Sequence, residues 1–426
     1  MKRRLVALVF VLSVIHSAHA QMSMNMGGSA GSFSANAQRH DTSGTDLDPA
    51  SFAPPMFMHM TGNNWMLMLH GNAIAVEQQQ TGPRGRDKFF SVNWLMPMAQ
   101  RAWGQSQITL RTMLSLEPAA ITGRYYPELF QQGETAFGKP IVDGQHPHNL
   151  FMEIAALYDR RLGSHVLASL YAAPVGDPAL GPEAFPHRPS ASENPLAPLG
   201  HHLEDSTHIA WDVATGGLAW SNKQTGVRLE ASGFHGREPD ENRWHIEVGP
   251  VDSWSARITV APHRDWIAQY SLGRLHSPEA VHPLEDVLRQ TSSISYHHTW
   301  SAVSLDSILV WGRNHTIGSP EKANGYLAEA TLHMLRRHSA WTRIENADRT
   351  TDLLGSAAPP EERAIGRVQA YTGGYAHRIW AWNGGSTELG MQFTGYTTPS
   401  NLVSLYGSHP LGVAALFKVQ LGREEK

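Results

Sequence analysis

The sequence predicts an all-β fold, namely an antiparallel up-and-down transmembrane β-barrel of about 16 strands, with 14 strands also possible. Segments in which apolar and polar residues alternate recur along the chain, and a period of two is typical of strands whose two faces meet different surroundings. The connections between these segments are alternately short and long, as in membrane barrels whose turns and loops lie at opposite ends. Such a barrel has membrane lipid as a partner.

The clearest pair of alternating segments lies between residues 251 and 276. Trp254 and Ile258 share one face of the first segment, whereas Ser255 and Arg257 share the other. Residues 262–264 leave room only for a hairpin turn before the second segment. By the same pattern, strands are predicted near 63–77, 86–101, 107–117, 149–159, 164–173, 206–220, 224–235, 251–261, 265–276, 288–299, 303–314, 324–335, 339–348, 364–381, 386–397 and 411–421.

Tryptophan residues gather near the predicted short turns, where a membrane barrel carries an aromatic girdle at the headgroup level. The residues concerned are Trp103, Trp220, Trp266, Trp300, Trp341 and Trp382. The alternative is that tryptophans cap the strands of a soluble β-sandwich or propeller. The absence of a fixed sequence repeat disfavours the propeller.

The chain divides into four parts. Residues 1–20 are predicted to be a secretory signal peptide, because a basic start precedes an apolar run and Ala18 and Ala20 fit a cleavage site. Residues 21–62 are rich in Gly, Ser, Ala and Asn and are predicted to form a flexible, disordered tail. Residues 63–421 form the predicted barrel, and residues 422–426 form a C-terminal tail.

Composition limits the function. The chain contains 34 Lys and Arg against 38 Asp and Glu, which argues against nucleic acid as a partner. It has no cysteine, so neither disulfides nor thiolate metal ligands are available. Charged residues of both signs fall on predicted inner faces and indicate a hydrogen-bonded interior rather than a wide open pore. They are Arg111, Glu153, Asp212, Arg228, Glu230, Arg257, Asp306, Arg367, Glu388 and Lys418.

Histidines concentrate in the predicted long loops, and two groups end just before a strand begins at the same rim. Neutral imidazole with carboxylate is a ligand set for Cu(II), Zn(II) or Ni(II). The predicted ligands are His146, His148, His201, His202, Asp205 and His208. The alternative is that these are ordinary loop side chains hydrogen-bonded to acidic neighbours.

Methionines form two groups in the predicted tail, and thioether sulfur is a soft ligand suited to Cu(I) or Ag(I). These candidates are Met22, Met24, Met26, Met56, Met58 and Met60, with His59 beside the second group. The alternative is that they fill space at the barrel mouth, since methionine is also an adaptable apolar residue.

The alternating segments between residues 63 and 421 resemble those of Gram-negative outer-membrane β-barrel proteins. Within that class, the stretches FHGREPDENRW (234–244) and GPVDSWSAR (249–257) are similar to a poorly characterised set associated with copper. The resemblance implies an outer-membrane location and assembly by the barrel assembly machinery. The chain departs from the class in one respect, because Phe417 lies inside the last strand and a polar tail follows it.

The sequence therefore predicts an outer-membrane barrel that binds or passes metal ions. Copper is the favoured ion, and copper ions are the predicted cofactor. One alternative is a general channel or structural barrel without a metal role. A second alternative is an outer-membrane hydrolase with Ser295, His297, His298 and Asp306 in its site, although Ser295 does not lie in a G-x-S-x-G motif. We favour a protein that is not an enzyme.

Overall fold

A computed structural model describes residues 32–205, 210–222 and 225–422. Its strands are β1 Phe57–Met60, β2 Met66–Gln80, β3 Lys88–Trp103, β4 Ser106–Leu114, β5 Tyr126–Ala136, β6 Lys139–Gln145, β7 Phe151–Arg161, β8 Val166–Gly176, β9 Ala210–Asn222, β10 Thr225–His235, β11 Ser253–His263, β12 Trp266–Leu275, β13 Val287–Trp300, β14 Val303–Thr316, β15 Lys322–Met334, β16 His338–Thr350, β17 Ala364–Trp382, β18 Gly385–Thr397 and β19 Leu411–Leu421.

The helices are short. The α-helices are α1 Phe33–Ala37, α2 Glu117–Ala120, α3 His201–Glu204 and α4 Val403–Tyr406, and 3₁₀ turns occupy Thr122–Arg124, Pro189–Ala191, Thr351–Ala357 and Ser400–Leu402. Within the described ranges, none of the helices has the length and apolar character needed to cross a membrane.

Sixteen long strands close an antiparallel up-and-down barrel in the described part of the chain, so the predicted fold class is confirmed. Each long strand pairs with its neighbours in chain order, and β19 returns to pair with β2. All sixteen predicted strands are present, with ends displaced by a few residues. Short β1 and the hairpin formed by β5 and β6 were not predicted.

The barrel is apolar outside and polar inside. On β11, Trp254 and Ile258 are exposed, whereas Ser255 and Arg257 are buried in the lumen. Leu309 is 59% exposed at the middle of β14, where only lipid would cover it. An outward apolar band of this kind requires a bilayer around it, so the barrel spans a membrane.

The aromatic girdle matches the prediction with one exception. Trp103, Trp220, Trp266 and Trp300 are about half exposed beside the short turns, in the range 42–51%. Trp341 was placed in the same girdle, but it points inward and is 5% exposed. Its indole N–H donates to Gln392 Oε1 at 2.7 Å. Trp341 points inward because the alternation of β16 places it on the same face as the buried residues of that strand.

Three segments fill the lumen. They are the N-terminal segment (residues 32–56), the loop hairpin (β5 and β6) and the inserted loop (residues 177–205). The prediction of a flexible tail is wrong for residues 32–62, because α1 and residues 42–46 are buried in the lumen and β1 pairs with the start of β2. Residues 1–31, which include the predicted signal peptide, and residues 423–426 lie outside the described ranges.

Arginines of the barrel wall hold the N-terminal segment in place. Arg111 donates to the carbonyl oxygens of His40 at 2.8 Å and Gly44 at 2.5 Å, while pairing with Glu153. Arg228 donates to the carbonyl oxygen of Thr45 at 3.0 Å. Because a buried guanidinium must be hydrogen-bonded, the wall arginines fix a segment whose own sequence shows no strand or helix pattern.

The inserted loop is held by ion pairs. Arg188 lies between Asp205 at 2.7 Å and Glu329 of β15 at 3.0 Å, and Arg343 of β16 donates to Glu329 at 2.6 Å. Lys418 of β19 pairs with Glu193 at 2.8 Å. The predicted hydrogen-bonded interior is therefore present, and Arg188–Glu329 and Lys418–Glu193 join the loop to the barrel wall. Arg367, predicted on the inner face, is instead exposed and pairs with Asp348.

Candidate functional site

Three predicted ligands converge at the long-loop end, which is the barrel end that carries the long connections. His146 follows the last residue of β6, and His201 and His202 form the first turn of α3. One ring nitrogen from each of the three lies within 4.8 Å of the others. The ring centroids of His201 and His202 are 3.9 Å apart. The ring centroid of His146 lies 6.1 Å from that of His201 and 5.8 Å from that of His202. We call these three residues the histidine cluster.

Each imidazole of the histidine cluster is oriented by an oxygen atom. Glu134 Oε1 of the loop hairpin lies 2.9 Å from His146 Nε2, and Gln145 Oε1 lies 3.1 Å from His201 Nε2. Glu238 Oε1, in the connection between β10 and β11, lies 3.1 Å from His202 Nδ1. Oxygen partners of this kind fix the ring orientation of metal-binding histidines.

Burial favours the neutral form of these rings. It lowers the pKa of His146, and it lowers the pKa of His202 even though the neighbouring Glu238 carboxylate acts in the opposite direction. Burial raises the pKa of Glu238, but His202 and Arg289 outweigh burial and leave that pKa below its usual value. Neutral imidazole beside ionised carboxylate is the protonation state in which these groups bind metal.

The other predicted loop ligands have different surroundings. Glu117 lies 2.9 Å from His148 Nδ1 and accepts the His148 backbone N–H at 2.8 Å. The His148 ring lies beside the histidine cluster, with its centroid 6.3 Å from the centroid of the His146 ring. Asp205 pairs with Arg188 and accepts the backbone N–H of Phe185, so it holds the inserted loop instead of joining the three imidazoles. His208 lies outside the described ranges.

A second group of ligand type was not predicted. Glu279, His282, Asp352 and Glu362 bring one ligand atom each within 4.8 Å of the others, and His282 Nε2 lies 3.1 Å from Asp352 Oδ1. The Asp352 hydrogen bond raises the pKa of His282. These residues come from two loops that are far apart in the chain, so the spacing of residues in the sequence did not predict that they would meet. A cavity of about 60 Å³ is lined by His202, Glu279 and Glu362 and lies between the two groups.

A third group, formed by Asp240, His245 and Glu247, lies within a single loop. All three residues are exposed or half-buried. Exposed side chains are screened by water, so this group is the weaker candidate.

The predicted tail methionines join a larger group. Six buried methionines pack together on the inner side of the wall, and Met56 and Met60 pack against them. We call the six, which are Met66, Met68, Met96, Met98, Met113 and Met152, the thioether face. Met58 is 49% exposed but pairs across the strands with Met68. His59 pairs with outward-facing Leu67 and therefore lies on the other side, and Met22, Met24 and Met26 lie outside the described ranges.

The sequence contained a signal for the thioether face that our prediction did not use. Met66 and Met68, and likewise Met96 and Met98, are two residues apart within predicted strands, which places each pair on one face. The convergence of the two pairs required the register of β2 with β3.

The residues proposed for a hydrolase form a structural pair. His297 Nδ1 lies 2.7 Å from Asp306 Oδ1, directly across β13 and β14, and both side chains are buried on the inner face. His297 Nε2 lies 3.3 Å from Thr299 Oγ1, and His298 pairs with Asp265 at 2.9 Å. The pair therefore faces the lumen.

Comparison with solved structures shows the fold. The anion-selective porin from Comamonas acidovorans matches with a TM-score of 0.51 and 9% identity, over 84% of this chain and 99% of the porin. The fold is that of the Gram-negative outer-membrane β-barrels. Salmonella typhi OmpF in complex with daunomycin matches at a TM-score of 0.49 and 8% identity, over 85% and 100%. The outer membrane channel DcaP of Acinetobacter baumannii matches at 0.44 and 9%, over 84% and 99%.

Neither the comparison with protein families nor that with curated proteins finds a match. The outer-membrane barrel fold and its apolar outer band place the chain in the outer membrane, as predicted.

Proposed function

We propose that this outer-membrane barrel binds a divalent transition-metal ion, copper first, at the histidine cluster. One observation carries the proposal. Two segments more than fifty residues apart in the chain bring three imidazole nitrogens within 4.8 Å of one another, with His146 and His201 buried and His202 half-buried. Three imidazoles are a ligand set for Cu(II), Zn(II) or Ni(II), and copper heads the affinity order among divalent first-row ions.

The surroundings support binding. Glu134 and Glu238 orient two of the rings and offset positive charge, which lowers the cost of burying a divalent ion. The cavity beside His202 has room for water, so a hydrated ion could exchange there. The cluster lies at the long-loop end, which faces the outside in barrels of this kind, so the bound ion would come from outside the cell.

A metal titration tests the proposal. The folded, detergent-solubilised barrel is titrated with Cu(II) and with Zn(II) in a calorimeter. Replacing His146, His201 and His202 together with Ala should weaken Cu(II) binding by at least about 100-fold, because the whole ligand set is lost. Replacing His165 and His263, which lie at the other end, serves as the matched control and should leave that site unchanged.

Equal Cu(II) affinity in the triple variant and the parent would refute the metal role and leave the structural-barrel alternative. Heat-modifiable migration on gels is followed in parallel to show that each variant is folded. Conductance in planar bilayers separates ion passage from binding, and the three segments inside the lumen lead us to expect low conductance.

A further inference from the structure

The inner face of the barrel changes character from one side to the other. On β10 and β11 the inward positions carry Arg228, Glu230 and Arg257, which is the usual polar lining. On β2 and β3 they carry four methionines of the thioether face, and Met113 of β4 and Met152 of β7 join these beside the ion pair of Arg111 and Glu153. A concentration of sulfur atoms at positions that elsewhere hold charge requires an explanation.

Strand register arranges the sulfur atoms in rows. Met58 of β1 lies opposite Met68 of β2, which lies opposite Met98 of β3. The β1–β2 ladder also places Met60 opposite Met66. Since side chains of directly opposed residues share a face and lie next to each other, each row brings thioethers from separate strands together.

A histidine completes the ligand set. His70 lies opposite Met96, and its Nε2 is 3.1 Å from the Met96 sulfur, with both side chains buried. The edge of Trp94 and that of His187 lie against the His70 ring, with centroids 5.1 and 5.7 Å away. A small side-chain rotation would let His70 and Met96 share one ion.

Packing by itself does not require methionine here. The same two strands pack Ile74, Val76 and Phe90 into a neighbouring apolar cluster. Branched and aromatic side chains fill space with fewer rotamers to fix, whereas methionine adds a polarisable sulfur and three flexible bonds. The change from aliphatic side chains to thioethers within one strand therefore points to a ligand.

We propose that the thioether face, with His70, binds a soft monovalent cation such as Cu(I) or Ag(I). Thioether and imidazole are ligands that favour such ions. The ligands are neutral, and burying one charge among neutral ligands costs far less than burying two, which favours a monovalent ion over a divalent one. Met56 of the N-terminal segment and Met60 of β1 extend the site toward the short-turn end of the barrel.

This inference goes beyond the proposed function and does not depend on it. Its ligands differ from those of the histidine cluster in chemistry and in place. Met152 nevertheless lies only four residues after His148, so the thioether face ends near the histidine cluster.

Silver provides a test without a reductant, because Ag(I) does not need to be kept reduced. The folded full-length barrel is titrated with Ag(I), and the variant Met68→Leu/Met96→Leu/Met98→Leu is compared with the parent. Leucine keeps the apolar volume and removes only the sulfur, so folding should survive. Ag(I) affinity should fall by at least about tenfold.

The matched control is Met334→Leu/Met391→Leu, which removes sulfur atoms of β15 and β18 that lie outside the thioether face. The Ag(I) affinity of this variant should equal that of the parent. Unchanged Ag(I) affinity in the triple leucine variant would overturn the proposal. X-ray absorption of the silver-loaded parent needs no variant, and a first shell without sulfur would overturn the proposal as well.

The two metal proposals fail separately. The triple histidine variant described above should lose Cu(II) binding and keep Ag(I) binding. The triple leucine variant should show the reverse. Loss of Ag(I) binding in the histidine variant would overturn a separate soft-metal site.

Discussion

The two inner faces of this barrel solve the same packing problem in different ways. The charge-paired face, exemplified by Glu329 and Arg343, meets the inserted loop through short ion pairs. The thioether face, exemplified by Met96 and Met98, meets its neighbours through soft apolar contacts. An inward position in a membrane barrel therefore need not be polar, provided that a segment of the chain covers it and excludes water.

The difference has an energetic consequence. A buried charge needs its partner, and removal of one member leaves the other without compensation. The apolar contacts of a thioether do not require a fixed geometry, so a side chain of equal volume can replace it. We expect the charge-paired face to tolerate substitution poorly and the thioether face to tolerate it well.

The largest effect is expected for Arg188→Met. This change leaves Asp205 and Glu329 buried without their shared partner and should reduce the free energy of unfolding by about 3–5 kcal/mol. Urea-induced unfolding in detergent measures it. Arg160→Met, at an exposed position, should stay within about 0.5 kcal/mol of the parent. A small loss for Arg188→Met would mean that the ion pairs do not hold the loop.

A somewhat smaller loss of stability is expected for substitutions on the outer, lipid-facing side of the wall. This loss should be the same behind the charge-paired face and behind the thioether face. Leu110 lies on β4 behind the thioether face, and Leu309 lies on β14 behind the polar face. Replacing either with Arg places a cation in hydrocarbon and should cost about 2–4 kcal/mol near the midplane. Folding titrations into lipid vesicles measure both. Unequal losses would show that the contrast between the regions extends through the wall.

The smallest effect is expected for Met98→Leu. The exchange conserves apolar volume and should cost less than about 1.5 kcal/mol, even though Met98 is 4% exposed. The same urea titration is used, so the value can be set directly beside that of Arg188→Met. A loss as large as that of Arg188→Met would remove the distinction between the two faces.

The strands were predictable because alternation is recorded in consecutive residues. Trp254 and Ile258 differ from Ser255 and Arg257 whatever the rest of the chain does. The N-terminal segment was not predictable, because its Gly- and Ser-rich composition matches that of disordered chains. It becomes ordered only through partners such as Arg111 and Arg228, which are far away in sequence.

The sequence alone determined the barrel, its strand directions and the long loops that hold the two predicted histidine groups. Only the tertiary structure decided that His146 meets His201 and His202, that Asp205 is held by Arg188, and that Met68 lies between Met58 and Met98. The reason is physical. Periodicity arises from the local geometry of one strand, whereas the meeting of side chains depends on barrel closure, strand register and the path of each loop.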